Sequence, residues 1–227
     1  MGALIDFISQ SIQVLYNVTK AVGFPNYGLA IILFTIVVKV ILFPLTYNQV
    51  KSMRKMQEIQ PILKEIQKKY KNNQQKLQQA MMELYQKEGI NPFSGCLPLL
   101  IQMPILFALF SSLRTFFDPT LNPDVVMAHA TFIWVPNLGN PDPFYVLPVL
   151  VAAGTFIQQK VSMVSINSQQ DQTQKTMLYI MPLIIGYISL QFPAGLSIYW
   201  VMYSITGILE QLIIRRPQKV KEEVNVK

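Results

Sequence analysis

Five stretches of the chain, near 27 to 47, 97 to 117, 144 to 164, 176 to 192 and 195 to 214, are almost unbroken in apolar residues. A helix needs roughly 20 apolar residues to cross a bilayer, so the pattern predicts five membrane-spanning helices, of which the fourth is short. Outside these stretches apolar residues recur at three- and four-residue spacing instead. Leu4, Phe7, Ile8, Ile12, Leu15, Val18 and Val22 form one stripe, interrupted by Asp6, Gln10, Gln13, Asn17 and Lys20. That spacing predicts an amphipathic helix over residues 1–24 lying in the membrane interface, ended by Gly23 and Pro25. Between the first two spans Met53, Met56, Ile59, Leu63, Ile66 and Tyr70 mark a second stripe, and Leu77, Met81, Leu84 and Tyr85 a third. They predict a helical hairpin over about 50–90, joined at Asn72-Asn73, in which Pro61 opens a new segment after Gln60 rather than breaking an old one. The fold expected is therefore an all-α integral membrane protein, with a core over 25–214 and a tail over 215–227.

Charge orients this set of helices. The connection between spans one and two carries Lys51, Arg54, Lys55, Lys64, Lys68, Lys69, Lys71, Lys76 and Lys87, whereas residues 118–143 contain Asp118, Asp124, Asp142 and His129 but no Lys or Arg. Basic connections stay cytoplasmic, so the hairpin belongs inside, the 118–143 loop outside, and the N-terminus outside. Arg215, Arg216, Lys219, Lys221 and Lys227 put the C-terminal tail in the cytoplasm, where it reads as a headgroup anchor with ribosome contact as the alternative. A composition of 51% hydrophobic and only 14% charged residues agrees with a polytopic membrane protein. The formal charge of +7 then reports cytoplasmic loops rather than nucleic-acid binding.

One polar residue breaks the rule. Lys39 stands in the middle of the first span, where a cation costs roughly 2.5–3.5 kcal/mol on insertion scales, so it is expected to face a wet compartment or a partner and to mark function. Cys96 is the single cysteine, which excludes an internal disulfide and a multi-cysteine metal site; it reads as a small residue at a helix entrance. His129, alone in the outer loop, reads as a surface residue, so no metal and no cofactor are expected. No cleavable signal is visible at the start, and Asp6 stands where a myristoylation signal needs Ser or Thr.

Several segments carry a resemblance. Asn26-Tyr27-Gly28, Phe43-Pro44-Leu45-Thr46, Met56-Gln57-Glu58-Ile59-Gln60-Pro61, Gly89-Ile90-Asn91-Pro92 and Gly95-Cys96-Leu97-Pro98 follow one another in order. Leu100-Ile101-Gln102-Met103-Pro104-Ile105, Pro141-Asp142-Pro143-Phe144-Tyr145-Val146-Leu147-Pro148, Phe156-Ile157-Gln158-Gln159-Lys160 and Phe192-Pro193-Ala194-Gly195-Leu196-Ser197-Ile198-Tyr199-Trp200 complete the set. In this order and with five spans, the chain resembles the YidC-type membrane protein insertases, the family that includes the mitochondrial Oxa and chloroplast Albino proteins.

The resemblance implies a bacterial cell-membrane protein with a groove open to the cytoplasm and to lipid and closed outside. It receives nascent membrane proteins without ATP and chaperones their folding, with the Sec translocon and the ribosome as further partners. The family's groove cation, usually Arg, falls on Lys39, with Thr35 one turn away, Gln158 from span three and Trp200 from span five. Gln102 and Gln191 are added as amides within or at the end of apolar spans, for which a helix-to-helix hydrogen bond is the alternative. Two departures stand out. Lys replaces the planar, always charged fork of Arg, so the groove must be wet for the charge to persist. The signal cysteine of lipid-modified relatives and the large outer domain of others are also missing, which suggests an unlipidated or trimmed, minimal core form.

Two rival classes are weaker. A transporter or channel would use Lys39 as a substrate counter-charge, but the span number is odd, no internal repeat is visible, and no Asp or Glu lies in the central stretches of the spans. An intramembrane enzyme would need more than Gly195-Leu196-Ser197-Ile198, which half resembles a serine motif without a membrane-embedded His as base.

Overall fold

The computed structural model describes residues 2–91, 97–123, 125–162 and 172–214. Cys96, Asp124 and the basic tail 215–227 lie outside them. Among the described residues the chain forms eight α-helices: α1 (Gly2–Ala21), α2 (Tyr27–Glu58), α3 (Gln60–Lys69), α4 (Gln74–Lys87), α5 (Leu97–Phe116), α6 (Val146–Ser162), α7 (Gln172–Ser189) and α8 (Ala194–Ile214). α2 and α8 are each long and apolar enough to cross a membrane, while α5, α6 and α7 carry the shorter apolar stretches Leu100–Phe116, Val146–Ser162 and Leu178–Ser189.

The starts and stops of these helices follow local chemistry. Asn26 caps α2, its Oδ1 accepting from Leu29 N at 3.1 Å, and its amide donates to Thr131 O at 2.8 Å, which ties the cap to the loop before α6. Expected to end near residue 47, α2 instead continues through Pro44 to Glu58 as one 32-residue helix. At ~1.5 Å per residue it outruns a hydrocarbon core of roughly 30 Å, so its Lys- and Gln-rich last turns project beyond the apolar part. The strong helix formers after Tyr47 account for the continuation. Pro61 sits in the first turn of α3, and Asn73 caps α4 by accepting from Lys76 N at 3.0 Å. α3 and α4 pack on each other around Ile59, Leu63 and Ile90, with Met56, Met81, Leu84 and Tyr85 at the margin. Burial there pushes the Tyr85 phenol up from its ordinary range.

α2 packs against α8, α8 against α6 and α6 against α7, and α1 lies across α2 and α5. Small residues allow the close approaches. A Cβ on Gly186 of α7 would stand 2.8 Å from the Ala152 methyl of α6, and one on Gly154 of α6 would stand 3.2 Å from Ser204 of α8. Large apolar residues remain exposed around the outside, among them Val40, Ile41, Phe107, Val149, Leu183 and Ile213. An apolar exterior of this kind suits lipid, not water.

One end of the bundle is sealed. Tyr27 stacks on Tyr16 with centroids 4.0 Å apart and meets Phe116 and Phe117 edge-on, above a layer that includes Ile8, Ile12, Leu113, Val135 and Leu138. The 118–145 loop is drawn into this layer. Ala194 N donates to Asn140 O at 2.7 Å and Gly195 N to Leu138 O at 2.9 Å, and Asp142 accepts from Trp134 Nε1, Phe144 N and Leu147 N at the start of α6. At the loop's near edge the Thr120 hydroxyl and amide hold the Asp118 carboxyl below the usual range.

α1 and the loop before α6 meet at this end. α1 buries Ile8, Ile12, Tyr16 and Thr19 against α2 and α5, and of its predicted stripe Phe7, Val18 and Val22 stay exposed. His129 is not a free surface residue: its Nδ1 pairs with the Tyr16 hydroxyl at 2.6 Å, since the loop folds back over α1.

Candidate functional site

Lys39 is buried, 5% exposed, on the face of α2 that meets α8. Its Nζ donates to Glu210 Oε2 at 2.9 Å and stands 4.0 Å from the centre of the Tyr203 ring. Glu210 is 9% exposed. Tyr203, Gly207 and Glu210 follow one another on α8 at four- and three-residue spacing, which places them on one face. Gly207 leaves the space: a Cβ there would collide with the Gln158 amide of α6 and stand 3.3 Å from Lys39 Nζ. Three helices thus supply a cation, an anion, an aromatic face and an amide around one glycine.

The electrostatic reason is direct. A lone ammonium in an apolar interior is expensive, and an adjacent carboxylate offsets much of its desolvation when the geometry is close. The tyrosine face adds a second, weaker stabilisation. The compartment expected for Lys39 is met by a partner.

The other predicted residues distribute around this pair. Gln158 comes close to it, its amide standing over Gly207 as Lys39 Nζ does, and its backbone carbonyl accepts from Ser162 Oγ at 2.8 Å. Gln102 is buried on α5 and donates to the Tyr199 hydroxyl at 3.0 Å; the Tyr199 and Tyr203 rings stack at 6.0 Å, so Gln102 reaches the pair through α8. Thr35 is fully buried one turn before Lys39, but its hydroxyl donates to Ile31 O at 2.8 Å within its own helix. Trp200 points to α6, its Nε1 donating to Thr155 Oγ1 at 3.1 Å. Gln191 is not brought to the pair. It is exposed beyond the end of α7, where with Arg114, Asn137 and Asn140 it lines a cavity of about 710 Å³ beside the first turn of α8.

Sequence reasoning missed Glu210, Tyr203 and Gly207. No carboxylate lies in the central stretch of a span, as expected, but Glu210 in the last turns of α8 still meets Lys39, because α2 and α8 pack side by side and the lysine stem is long. The available signal was a carboxylate inside the fifth apolar stretch, opposite in sign to Lys39 and in helical register with Tyr199 and Tyr203.

Toward the end of α8, beyond the pair, three helices exchange polar contacts. Gln211 donates to Ser162 Oγ at 2.6 Å and Gln57 donates to Ser162 O at 3.0 Å. Both amides line a cavity of about 40 Å³ with Arg54. Aromatic packing thus dominates around Tyr27, while amides and Arg54 gather at the opposite end of α2.

An apolar exterior, an aromatic layer at one end and a buried ion pair between two helices define a helical membrane protein with a charged interior. Comparison with known proteins narrows this. The model of a family described as 60Kd inner membrane protein matches residues 17–222, and the chain belongs to that family. A membrane protein insertase YidC of Fusobacterium nucleatum subsp. nucleatum is 42% identical over 217 residues, covering 95% of this chain and 98% of the relative. Another, from Oceanobacillus iheyensis, is 43% identical over 216 residues, covering 90% of this chain and 81% of the relative. Among solved structures, one described as an active YidC insertase crystal structure with the first transmembrane domain resolved superposes with a TM-score of 0.69 at 28% identity, covering 91% of this chain and 45% of that one. These relatives are insertases, not enzymes in the catalytic sense, and they do not favour the transporter alternative.

Proposed function

We propose that this chain inserts nascent membrane proteins into the bilayer and assists their folding, without ATP, through the polar path between α2, α6 and α8. The observation that carries the reading is the charged pair Lys39–Glu210 inside the apolar bundle of a chain that matches insertases over nearly its whole length. A substrate span must carry a short polar tail across hydrocarbon. Polar groups reaching from Lys39 toward Arg54 shorten the low-dielectric part of that passage, and Lys39 offers a charge midway.

In this reading α2, α5, α6, α7 and α8 are the five spans, α1 lies in the outer interface, and α3–α4 stand in the cytoplasm as a basic platform for incoming chains and anionic lipid. The N-terminus is outside and the C-terminal tail inside, as the lysine distribution requires. Residues 1–24, 25–214 and 215–227 act as interfacial helix, insertase core and headgroup-binding tail. The sealed aromatic end faces outward and keeps ions from following the substrate. The short apolar part of α7, Leu178–Ser189, favours local thinning of the bilayer beside the path. Release follows from the substrate's own hydrophobicity, as its apolar segment partitions into lipid beside α6 and α8. The Sec translocon and the ribosome are the partners that would deliver such chains.

The test is a charge series at Lys39 in a strain depleted of its own insertase. Lys39→Arg is expected to retain insertion of a substrate with an acidic outer tail, whereas Lys39→Glu loses it by facing Glu210 and the tail with like charge. Equal activity of the two variants would remove the cation from the mechanism.

A further inference from the structure

We propose that Glu210 is a specificity-determining residue: it acts as an internal stand-in for substrate carboxylate, so that the path presents a neutral pair and tolerates outer tails of either sign. The inference rests on the insertase reading and concerns only how tail charge is selected. Its ground is the geometry of the pair. Lys39 Nζ already donates to Glu210 Oε2 at 2.9 Å, has the Tyr203 ring at 4.0 Å and lies beside Gly207, over which the Gln158 amide also stands. An approaching aspartate or glutamate therefore meets a cation whose charge is already answered, and must displace Glu210 to gain it. An approaching lysine meets a carboxylate that can accept it when Lys39 swings aside on its flexible stem. Like-charge juxtaposition in a low-dielectric site is a strong discriminator, and a paired site avoids it for both signs.

Removing one member should expose the other. In Glu210→Gln the cation stands alone and the path should prefer acidic tails. In Lys39→Gln the carboxylate stands alone and the preference should invert. A structural role for Glu210 would slow every substrate alike.

The experiment uses the full chain in proteoliposomes of defined lipid and a single-span probe whose short outer tail carries two aspartates, no charge or two lysines, with protease protection as the readout. For the unaltered chain the three tails are expected to insert within about threefold of one another. Glu210→Gln should raise the acidic-to-basic ratio roughly tenfold, Lys39→Gln should lower it by a similar factor, and Glu210→Asp should keep the original spread. If Glu210→Gln does not purify as a folded protein, the inversion in Lys39→Gln decides alone. A ratio that stays flat in the single variants, or three tails slowed equally, overturns the inference and leaves the insertase reading standing. Failure of the unaltered chain to insert any tail above empty vesicles overturns both.

Discussion

Gly207 shows how narrowly the centre of the molecule is built. With no side chain it lets the Gln158 amide and Lys39 Nζ share one volume against α8. Gly207→Val would overpack that space, and a cost of about 1–3 kcal/mol is expected, read as a lower unfolding midpoint in detergent together with slower insertion. An unchanged midpoint would mean that the three helices can part there freely. Lys39 was legible in the sequence because a cation in a 20-residue apolar run has no bland explanation. Glu210 was not, because charges near span ends are ordinary. What makes it unusual is the register between α2 and α8, which no one-dimensional pattern contains. Gln102 illustrates the intermediate case: its polarity within an apolar run announced a partner, and only the packing of α5 on α8 decided that the partner is Tyr199.

At the level of elements the apolar runs located α5, α6 and α8 to within a few residues, since a 20-residue apolar stretch has few alternatives to a helix. The apolar run located the span but not the end of α2, because helix-forming polar residues continue the helix to Glu58 after the hydrophobic signal stops. The break at Ile59-Gln60-Pro61 and the turn at Asn72-Asn73 were readable from proline and capping chemistry, and both appear where that chemistry puts them. α3 and α4 pack on a small core around Ile59, Leu63 and Ile90 that lies apart from the main core and includes Met56 at the end of α2. Replacing residues 60–87 with a flexible Gly/Ser linker is expected to leave the chain integrated in the membrane, as judged by alkaline extraction, while abolishing growth in an insertase-depletion strain. Full complementation by that variant would reduce the pair of helices to a spacer.

For the whole molecule the asymmetry of its two ends is the property that matters. Aromatic packing of Tyr16, Tyr27, Phe116 and Phe117 closes one end, and the amides Gln57 and Gln211 with Arg54 make the other polar. With Cys96 first replaced by Ala, a cysteine placed at Thr120 should react with an impermeant maleimide in intact spheroplasts, and one placed at Asn72 only after permeabilisation. The reverse pattern would invert the proposed orientation and with it the direction of insertion. Hydrophobic periodicity, lysine distribution and one misplaced cation were enough, in the sequence alone, to specify a helical membrane protein, its order of elements and its central residue. All three are local energies of transfer between water and lipid, which a linear chain records position by position. Tertiary structure alone decided that Lys39 is answered by Glu210, that His129 is held by Tyr16 and that Gln191 stands apart. Those outcomes depend on which helix faces pack together, and pairing energy between residues 171 positions apart exists only once the chain has folded.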